Sequence, residues 1–282
     1  MNPSIVVLAN LSEAAEKAAQ YATVLGAPLH ANIALLHCHQ DPVLMVPEMA
    51  VFTTAQTDRD YAESVTGMQA LAQRLPGSAE VVLSALPMAD AVAETVQHHN
   101  PLALAMGLSP EQRLLDELLR NQVLPVLRAT HYPLLLVPEA APAPCVPRRV
   151  LLALDSEPFH LNEASTRLPP LLSDWQAAYT VVHVVDGHKP GAPPHRMALA
   201  DVRARGILPP GAPLMLHQEF NATAAGGILQ AQADTQADLV VLIARPRSFL
   251  GRRFHHSVTA EVLRRSPVPV LLLGAQVHSP QD

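Results

Sequence analysis

Aromatic side chains are scarce in this chain, since Phe, Trp and Tyr together make up 4% of its 282 residues. Proteins that bind single-stranded nucleic acids use such side chains as stacking platforms for bases, so this class of function is disfavoured. The two cysteines, Cys38 and Cys145, cannot form the disulfide framework of a small secreted domain. Charged residues make up only 16% and hydrophobic residues 49%, which indicates a globular chain rather than a disordered one.

Long apolar runs are also missing. No run approaches the ~18 residues of a membrane-spanning helix, and no basic-then-apolar leader opens the chain. We therefore expect a soluble cytoplasmic protein with no membrane partner. The net charge of −6 is uneven: residues 1–140 hold six Lys or Arg against fourteen Asp or Glu, and residues 141–282 hold thirteen against eleven. The acidic first half should repel nucleic acids, so we expect no nucleic-acid partner.

Motifs of catalysis and metal binding are absent as well. The sequence has no nucleophile elbow, Walker lysine motif, zinc-spaced Cys/His set or paired-carboxylate motif. His37 and His39 would share a face of a strand, but the matching strand of the second half has only His183. We interpret a histidine present in both halves as part of the scaffold. The sequence thus predicts no metal site and no enzyme.

What the chain does contain is an internal repeat. A repeat of this size predicts two domains, which we place at residues 1–138 and 149–276, with an Ala/Pro-rich linker over 139–148. Apolar strand patterns alternate with amphipathic helix patterns in both halves, which indicates a parallel sheet wound on both faces. Pro169 and Pro170 should end or kink the helix that follows the first strand of the second half. The predicted strands, five in each half, are Ile5–Ala9, Ala31–His37, Ala79–Ser84, Pro101–Met106 and Pro133–Val137, then Val150–Leu154, Tyr179–Val185, Leu214–Phe220, Leu239–Ile243 and Val268–Leu273.

This arrangement resembles the universal stress protein family. The features that carry the resemblance are the strand order, an acid ending the first strand (Asp155), a histidine in the second strand and a terminal Pro-Val-Leu strand. It covers nearly the whole chain and implies two tandem α/β domains of the Rossmann-like or flavodoxin-like type. It also implies that the last strands, Leu134–Val137 and Val270–Leu273, pair in an intrachain pseudo-dimer. A homodimer is left open.

A nucleotide-binding subgroup of that family carries Gly-x2-Gly-x9-Gly-(Ser/Thr) between the fourth strand and the last helix. The glycines let the backbone approach the phosphates, and the start of the helix points N–H groups at them. In the second half all three glycines are replaced, whereas the hydroxyl position and the strand-one acid are kept. The first half keeps one glycine and has Asn10 for the acid. Counting places the motif on Ile243, Pro246, His256 and Ser257 in the second half, and on Gly107, Pro110, Arg120 and Asn121 in the first.

The resemblance implies a set of candidate nucleotide-contacting residues in the second domain. Ser257 is either a phosphate donor or the N-cap of the last helix, and Asp155 is either a nucleotide contact or a cap for the turn after its strand. The loop over residues 245–256 holds four arginines and is either an anion site built from guanidinium groups or a solvated loop. The candidates are Asp155, Val184, Arg245, Arg252, Arg253, His256, Ser257 and Val258.

The function that the resemblance implies is that of a cytoplasmic, universal-stress-type protein. We expect it to be non-catalytic and without a cofactor, acting in the stress response through an unknown protein partner or a weakly bound ligand. One alternative is an ATP- or AMP-binding second domain, with slow hydrolysis. Another is a sensor of small anions or metabolites on the arginine loop.

Overall fold

The structure is a computed structural model of an α/β protein. It describes residues 2–39, 50–109, 123, 125–126, 130–154, 159–185, 202–203, 206–208, 211–244 and 257–276, and for residues 50–60 it describes the backbone only. Within these residues, no helix combines the length and the apolarity needed to cross a membrane.

Short apolar runs form the strands. All five residues of the first strand are buried, as expected for a strand that is covered on both faces of a parallel sheet. The strands are β1 Ser4–Leu8, β2 Asn32–Cys38, β3 Ala79–Ser84, β4 Ala103–Leu108, β5 Leu134–Pro138, β6 Arg149–Ala153, β7 His160–Leu161, β8 Ala178–Val185, β9 Leu214–Phe220, β10 Leu239–Ala244 and β11 Val270–Gln276.

Helices connect most of these strands. Several begin at a side-chain cap; Ser12, for example, accepts the backbone N–H of Ala15 at 3.2 Å, which satisfies a donor that has no partner inside the helix. The described helices are α1 Glu13–Gly26, α2 Ala50–Arg74, α3 Met88–His99, α4 Pro169–Asp174, α5 Ala224–Thr235 and α6 Val258–Arg265, with 3-10 helices at Ala27–Leu29 and Ser165–Arg167.

The two halves contribute separate, similarly ordered parts of one sheet. Its strand order is β3-β2-β1-β4-β5-β11-β10-β6-β8-β9. Within each half the strands of this order are parallel, and in both halves they run third, second, first, fourth, fifth in chain order. The short strand β7 stands outside this order. The mixed α/β architecture with a largely parallel sheet is therefore as predicted. The domain boundaries at residues 138 and 149 stay a prediction, although among the described strands none of one half is inserted among those of the other.

The last strands of the two halves join the sheet. β5 and β11 pair antiparallel, with Leu135 opposite Leu271 and its neighbours in register on either side. The resemblance implied this pairing. Its physical basis is that the fifth strand of either half, paired on one side only, would leave a row of backbone donors and acceptors open.

The segment after β6 differs from its counterpart in the first half. Where the first half has the long helix α1, the described part of the second half has β7, a 3-10 helix and the six-residue α4. Strand β7 pairs antiparallel with the end of β11 and was not predicted. Pro169 and Pro170 lie in the first turn of α4, so they start a helix rather than end one, because a first-turn residue needs no intrahelical N–H bond.

Buried apolar side chains cover both faces of the sheet. One cluster includes Leu25, Leu135, Trp175 and Leu271, and thus draws on both halves. The other cluster lies on the side of α3, α5 and α6 and includes Val92, Ile228 and Leu263. Because both clusters contain residues from both halves, the core is continuous across the β5–β11 junction.

Candidate functional site

The carboxyl ends of β6 and β10 define the place where a ligand of this fold would bind. These two strands are adjacent, with Ala153 opposite Leu242, although one is the first strand of the second half and the other the fourth. Ligands of open α/β sheets bind outside the carboxyl ends of strands at such a reversal of strand order. Asp155 and Arg245 follow these two strands closely in sequence.

Five of the eight candidate residues lie outside the described residues. They are Asp155, Arg245, Arg252, Arg253 and His256. Their assignment as ligand contacts stays a prediction, and so does the arginine loop as a whole.

Val184 is described, and its side chain packs against helix α5. A Cβ added at Gly227 would lie 2.5 Å from a Val184 methyl carbon, so the valine methyls contact the helix backbone closely. Val184 belongs to the rim of the apolar cluster on that face. Its methyl groups are therefore engaged in packing on α5, although the residue as a whole is only partly buried at the end of β8.

Ser257 caps helix α6. Its Oγ accepts a hydrogen bond from the backbone N–H of Ala260 at 3.1 Å. Its backbone carbonyl oxygen accepts a hydrogen bond from the backbone N–H of Glu261. Capping uses the oxygen as an acceptor, so the hydroxyl hydrogen stays available to a ligand. The capping interpretation and the phosphate-donor interpretation thus do not exclude each other.

The first turn of α6 carries the positive end of the helix dipole. Val258 is 42% exposed at its start, and free N–H groups at a helix start attract anions. However, Glu261 lies in the same turn and already compensates part of this positive potential, even though its carboxylate pairs with Arg265 at 2.9 Å. An additional cation near the helix start would be needed for tight binding.

Gly107, the one motif glycine of the first half, lies under helix α1. A Cβ at this position would come within 2.1 Å of the Ala14 carbonyl oxygen and 2.7 Å of the Ala15 nitrogen. Close packing of the helix start on β4 therefore accounts for this glycine without a nucleotide. The strand-one residue Asn10 accepts the Ser12 N–H at 3.0 Å, so it organises the turn into the same helix.

His37, predicted to be part of the scaffold, is hydrogen-bonded within the sheet. Its Nδ1 lies 3.0 Å from the carbonyl oxygen of Ala9, just beyond β1. The imidazole thus links the carboxyl ends of β1 and β2, a structural role consistent with the presence of a histidine at the matching place in the second half.

Residues 217–274 match the model of the Universal stress protein family. This stretch runs from β9 to β11 and includes α5 and α6. The resemblance to the universal stress protein family is thereby confirmed for this stretch of the second half. No curated protein sequence matches the chain.

Solved structures support the universal-stress-like fold along the whole chain. A universal stress protein from Archaeoglobus fulgidus DSM 4304 is 18% identical with a TM-score of 0.61, and the alignment covers 95% of this chain and 97% of that one. A functionally unknown protein from Pseudomonas aeruginosa PAO1 is 17% identical with a TM-score of 0.52, covering 96% and 92%. At such identities the likeness concerns the fold alone.

A group of side chains that the sequence analysis missed lies away from the carboxyl ends of β6 and β10. His217 and Glu219 on β9 and Asp234 on α5 bring one imidazole nitrogen and two carboxylate oxygens within 4.8 Å of one another. The available signal was His-x-Glu on a predicted strand, which places two ligand-type side chains on one face. The third member comes from a helix and could not be assigned by spacing.

Proposed function

We propose that this universal-stress-like protein is non-catalytic and acts in the cytoplasm, in the response to stress, through a protein partner or a weakly bound ligand. The observation that carries the proposal is the loss of the glycines at the nucleotide position of the second domain. Ile243 and Pro246 replace two of them, and a proline has no N–H with which to bind a phosphate. Tight nucleotide binding would need that backbone cradle.

A nucleotide-binding second domain is the alternative with specific support. Asp155 and Ser257 stand at the acid and hydroxyl positions of the family motif, and the Ser257 hydroxyl hydrogen is free of the capping bond. Under this alternative, ATP or AMP binds between the carboxyl ends of β6 and β10, and ATP is hydrolysed slowly.

Mass spectrometry and calorimetry on the full chain separate these proposals. We expect purified protein to carry no adenine nucleotide, and titration with ATP or AMP to give no saturable heat. Co-purified nucleotide, or one-to-one binding that Ser257→Ala and Asp155→Asn both weaken, would establish the alternative. Because Ser257→Ala also removes a helix cap, worth about 1 kcal/mol, its melting temperature must be compared with that of the parent.

The arginine loop is tested with inorganic phosphate. If Arg252 and Arg253 form an anion site, phosphate should raise the melting temperature at low salt, and the rise should shrink as salt increases. Replacing both with Gln should abolish the rise. Because the loop lacks a cradle of backbone donors, we expect phosphate to cause no such rise. A rise in the melting temperature of the parent that is absent in the double Gln variant would favour the sensor function.

A further inference from the structure

We propose that His217, Glu219 and Asp234 form a binding site for one divalent transition-metal ion of the zinc type. The site lies at the outer edge of the sheet in the second half, between β9 and α5. It is separate from the nucleotide position at the ends of β6 and β10, because β8 intervenes between β6 and β9.

The distances between the ligand atoms suit such an ion. Nε2 of His217 lies 3.3 Å from Oε2 of Glu219 and 4.0 Å from Oδ2 of Asp234. Zinc binds nitrogen and oxygen ligands at ~2.0–2.2 Å, so tetrahedral neighbours lie about 3.3–3.6 Å apart. The first distance already agrees, whereas the second is longer, so Asp234, whose side chain is 45% exposed, would move closer to His217 when an ion binds.

The donor set favours transition metals over hard cations. One imidazole and two carboxylates are ligands of zinc, cobalt or nickel, whereas calcium and magnesium prefer oxygen ligands alone. Three protein ligands leave a fourth position for water or another molecule, as in open zinc sites. The chemistry therefore predicts exchangeable zinc-type binding rather than a closed structural site.

The surroundings hold the three side chains in place. Gln230, one helical turn before Asp234, donates its Nε2–H to Asp234 Oδ1 at 2.9 Å and leaves Oδ2 turned toward His217. Such second partners of carboxylate ligands orient them for metal. The Glu219 side chain is only 14% exposed, and it lies opposite Val184, which packs on α5.

The first half provides an internal comparison. Register within the two sheet halves makes Val82 and Ser84 on β3 the counterparts of His217 and Glu219. Helices α3 and α5 both have twelve residues and end at a left-handed residue, which makes His98 the counterpart of Asp234. The first half thus lacks the ligand set on the same scaffold, so the fold itself does not require these side chains.

Titration of the metal-free full chain with Zn²⁺ tests the proposal. We expect a single site per chain by isothermal calorimetry, a higher melting temperature with Zn²⁺, and no comparable effect of Mg²⁺. Glu219→Gln keeps the shape and should weaken binding by at least about tenfold. His217→Val installs the residue of the first half and should abolish binding, and Gln230→Ala should weaken it by about tenfold through Asp234.

Two control variants test whether Zn²⁺ binds elsewhere on the chain. Glu80→Gln removes an acid from the equivalent strand of the first half, where Glu80 lies 4.0 Å from His99, and should leave Zn²⁺ affinity unchanged. Cys145→Ser removes an exposed thiol and should do the same. Absence of saturable Zn²⁺ binding, or binding that survives both Glu219→Gln and His217→Val, would overturn the proposal and leave these residues as a hydrogen-bonded pair with a neighbouring acid.

Discussion

At the level of single residues, the kind of neighbour that a glycine contacts decides whether a larger side chain fits at its position. Gly107 occupies a position of the nucleotide motif, yet its missing side chain makes room for the start of helix α1. Gly67 also lies close to a neighbour, but that neighbour is the terminal methyl of Leu11, which is 58% exposed. Backbone cannot move aside as such a side chain can, so the two glycines should respond differently to substitution.

Gly107→Ala should lower the free energy of unfolding by about 3 kcal/mol or more, because the added methyl overlaps the Ala14 carbonyl. Gly67→Ala serves as the control. It should be neutral or stabilising by up to about 1 kcal/mol, since alanine suits a helix interior better than glycine. Urea unfolding followed by circular dichroism measures both. Equal effects of the two substitutions would contradict the packing role of Gly107.

Tyr21 links helix α1 to the segment between the halves. Its hydroxyl donates to the Pro142 carbonyl at 3.0 Å, and its side chain is buried. Burial raises its pKa from 10 to about 12, with smaller contributions from Cys145 and Asp238. The unfolded chain therefore loses this proton at a lower pH than the folded chain.

Stability should consequently fall as pH rises from about 10 to about 12. Below the unfolded pKa the stabilisation is fully present, and it is lost as pH approaches the folded pKa, with a loss on the order of 1–3 kcal/mol from Tyr21. Tyr21→Phe should cost about 1 kcal/mol at neutral pH and make the alkaline decline shallower. Denaturant melts across this pH range measure the effect. An unchanged slope in Tyr21→Phe would show that other groups, such as the buried Tyr179, control the decline.

Among the secondary-structure elements, the segment after β6 holds the halves together. Trp175, just after α4, donates its indole N–H to the Leu25 carbonyl at 2.9 Å. Asn162, just after β7, donates its side-chain amide to the His131 carbonyl, and its own N–H bonds to Gly274 on β11. Replacing a long helix by β7 and short helices thus converts this segment into a connector.

Trp175→Phe should destabilise the fold by about 1–3 kcal/mol, because the buried Leu25 carbonyl loses its donor and the indole volume is not refilled. Arg167→Gln is the comparison variant. Arg167 also bridges the halves, to the Asn100 carbonyl at 3.0 Å, but at the surface, where such contacts contribute less than about 1 kcal/mol. Thermal melts followed by far-ultraviolet circular dichroism measure both, and a larger loss in Arg167→Gln would contradict the ranking.

Across the molecule as a whole, one sheet and the two apolar clusters on its faces run through both halves. The β5–β11 pairing and the shared apolar cluster make the stability of each half depend on the other. Two-domain chains with small polar interfaces unfold in separate steps. Here the continuity predicts cooperative unfolding.

Urea unfolding should therefore give coincident midpoints by Trp175 fluorescence and by far-ultraviolet circular dichroism. Trp175 is the only tryptophan in the chain and reports the contact between the halves, whereas circular dichroism reports both. Calorimetric and van't Hoff enthalpies should also agree. A fluorescence change that precedes the loss of secondary structure would show that the halves separate before they unfold.

Local patterns in the sequence were enough to predict the α/β class, most strand positions and the resemblance to universal stress proteins. Apolar runs and the repeat are periodic signals, which one chain suffices to display. Counting along the chain also located the candidate nucleotide position and the loss of its glycines. The folded arrangement was needed to show that Gly107 packs under α1, that Pro169 opens a helix, and that Asp234 meets His217 and Glu219. Each of these depends on which backbone or side chain lies opposite a given residue in space, and spacing along the chain carries no such information.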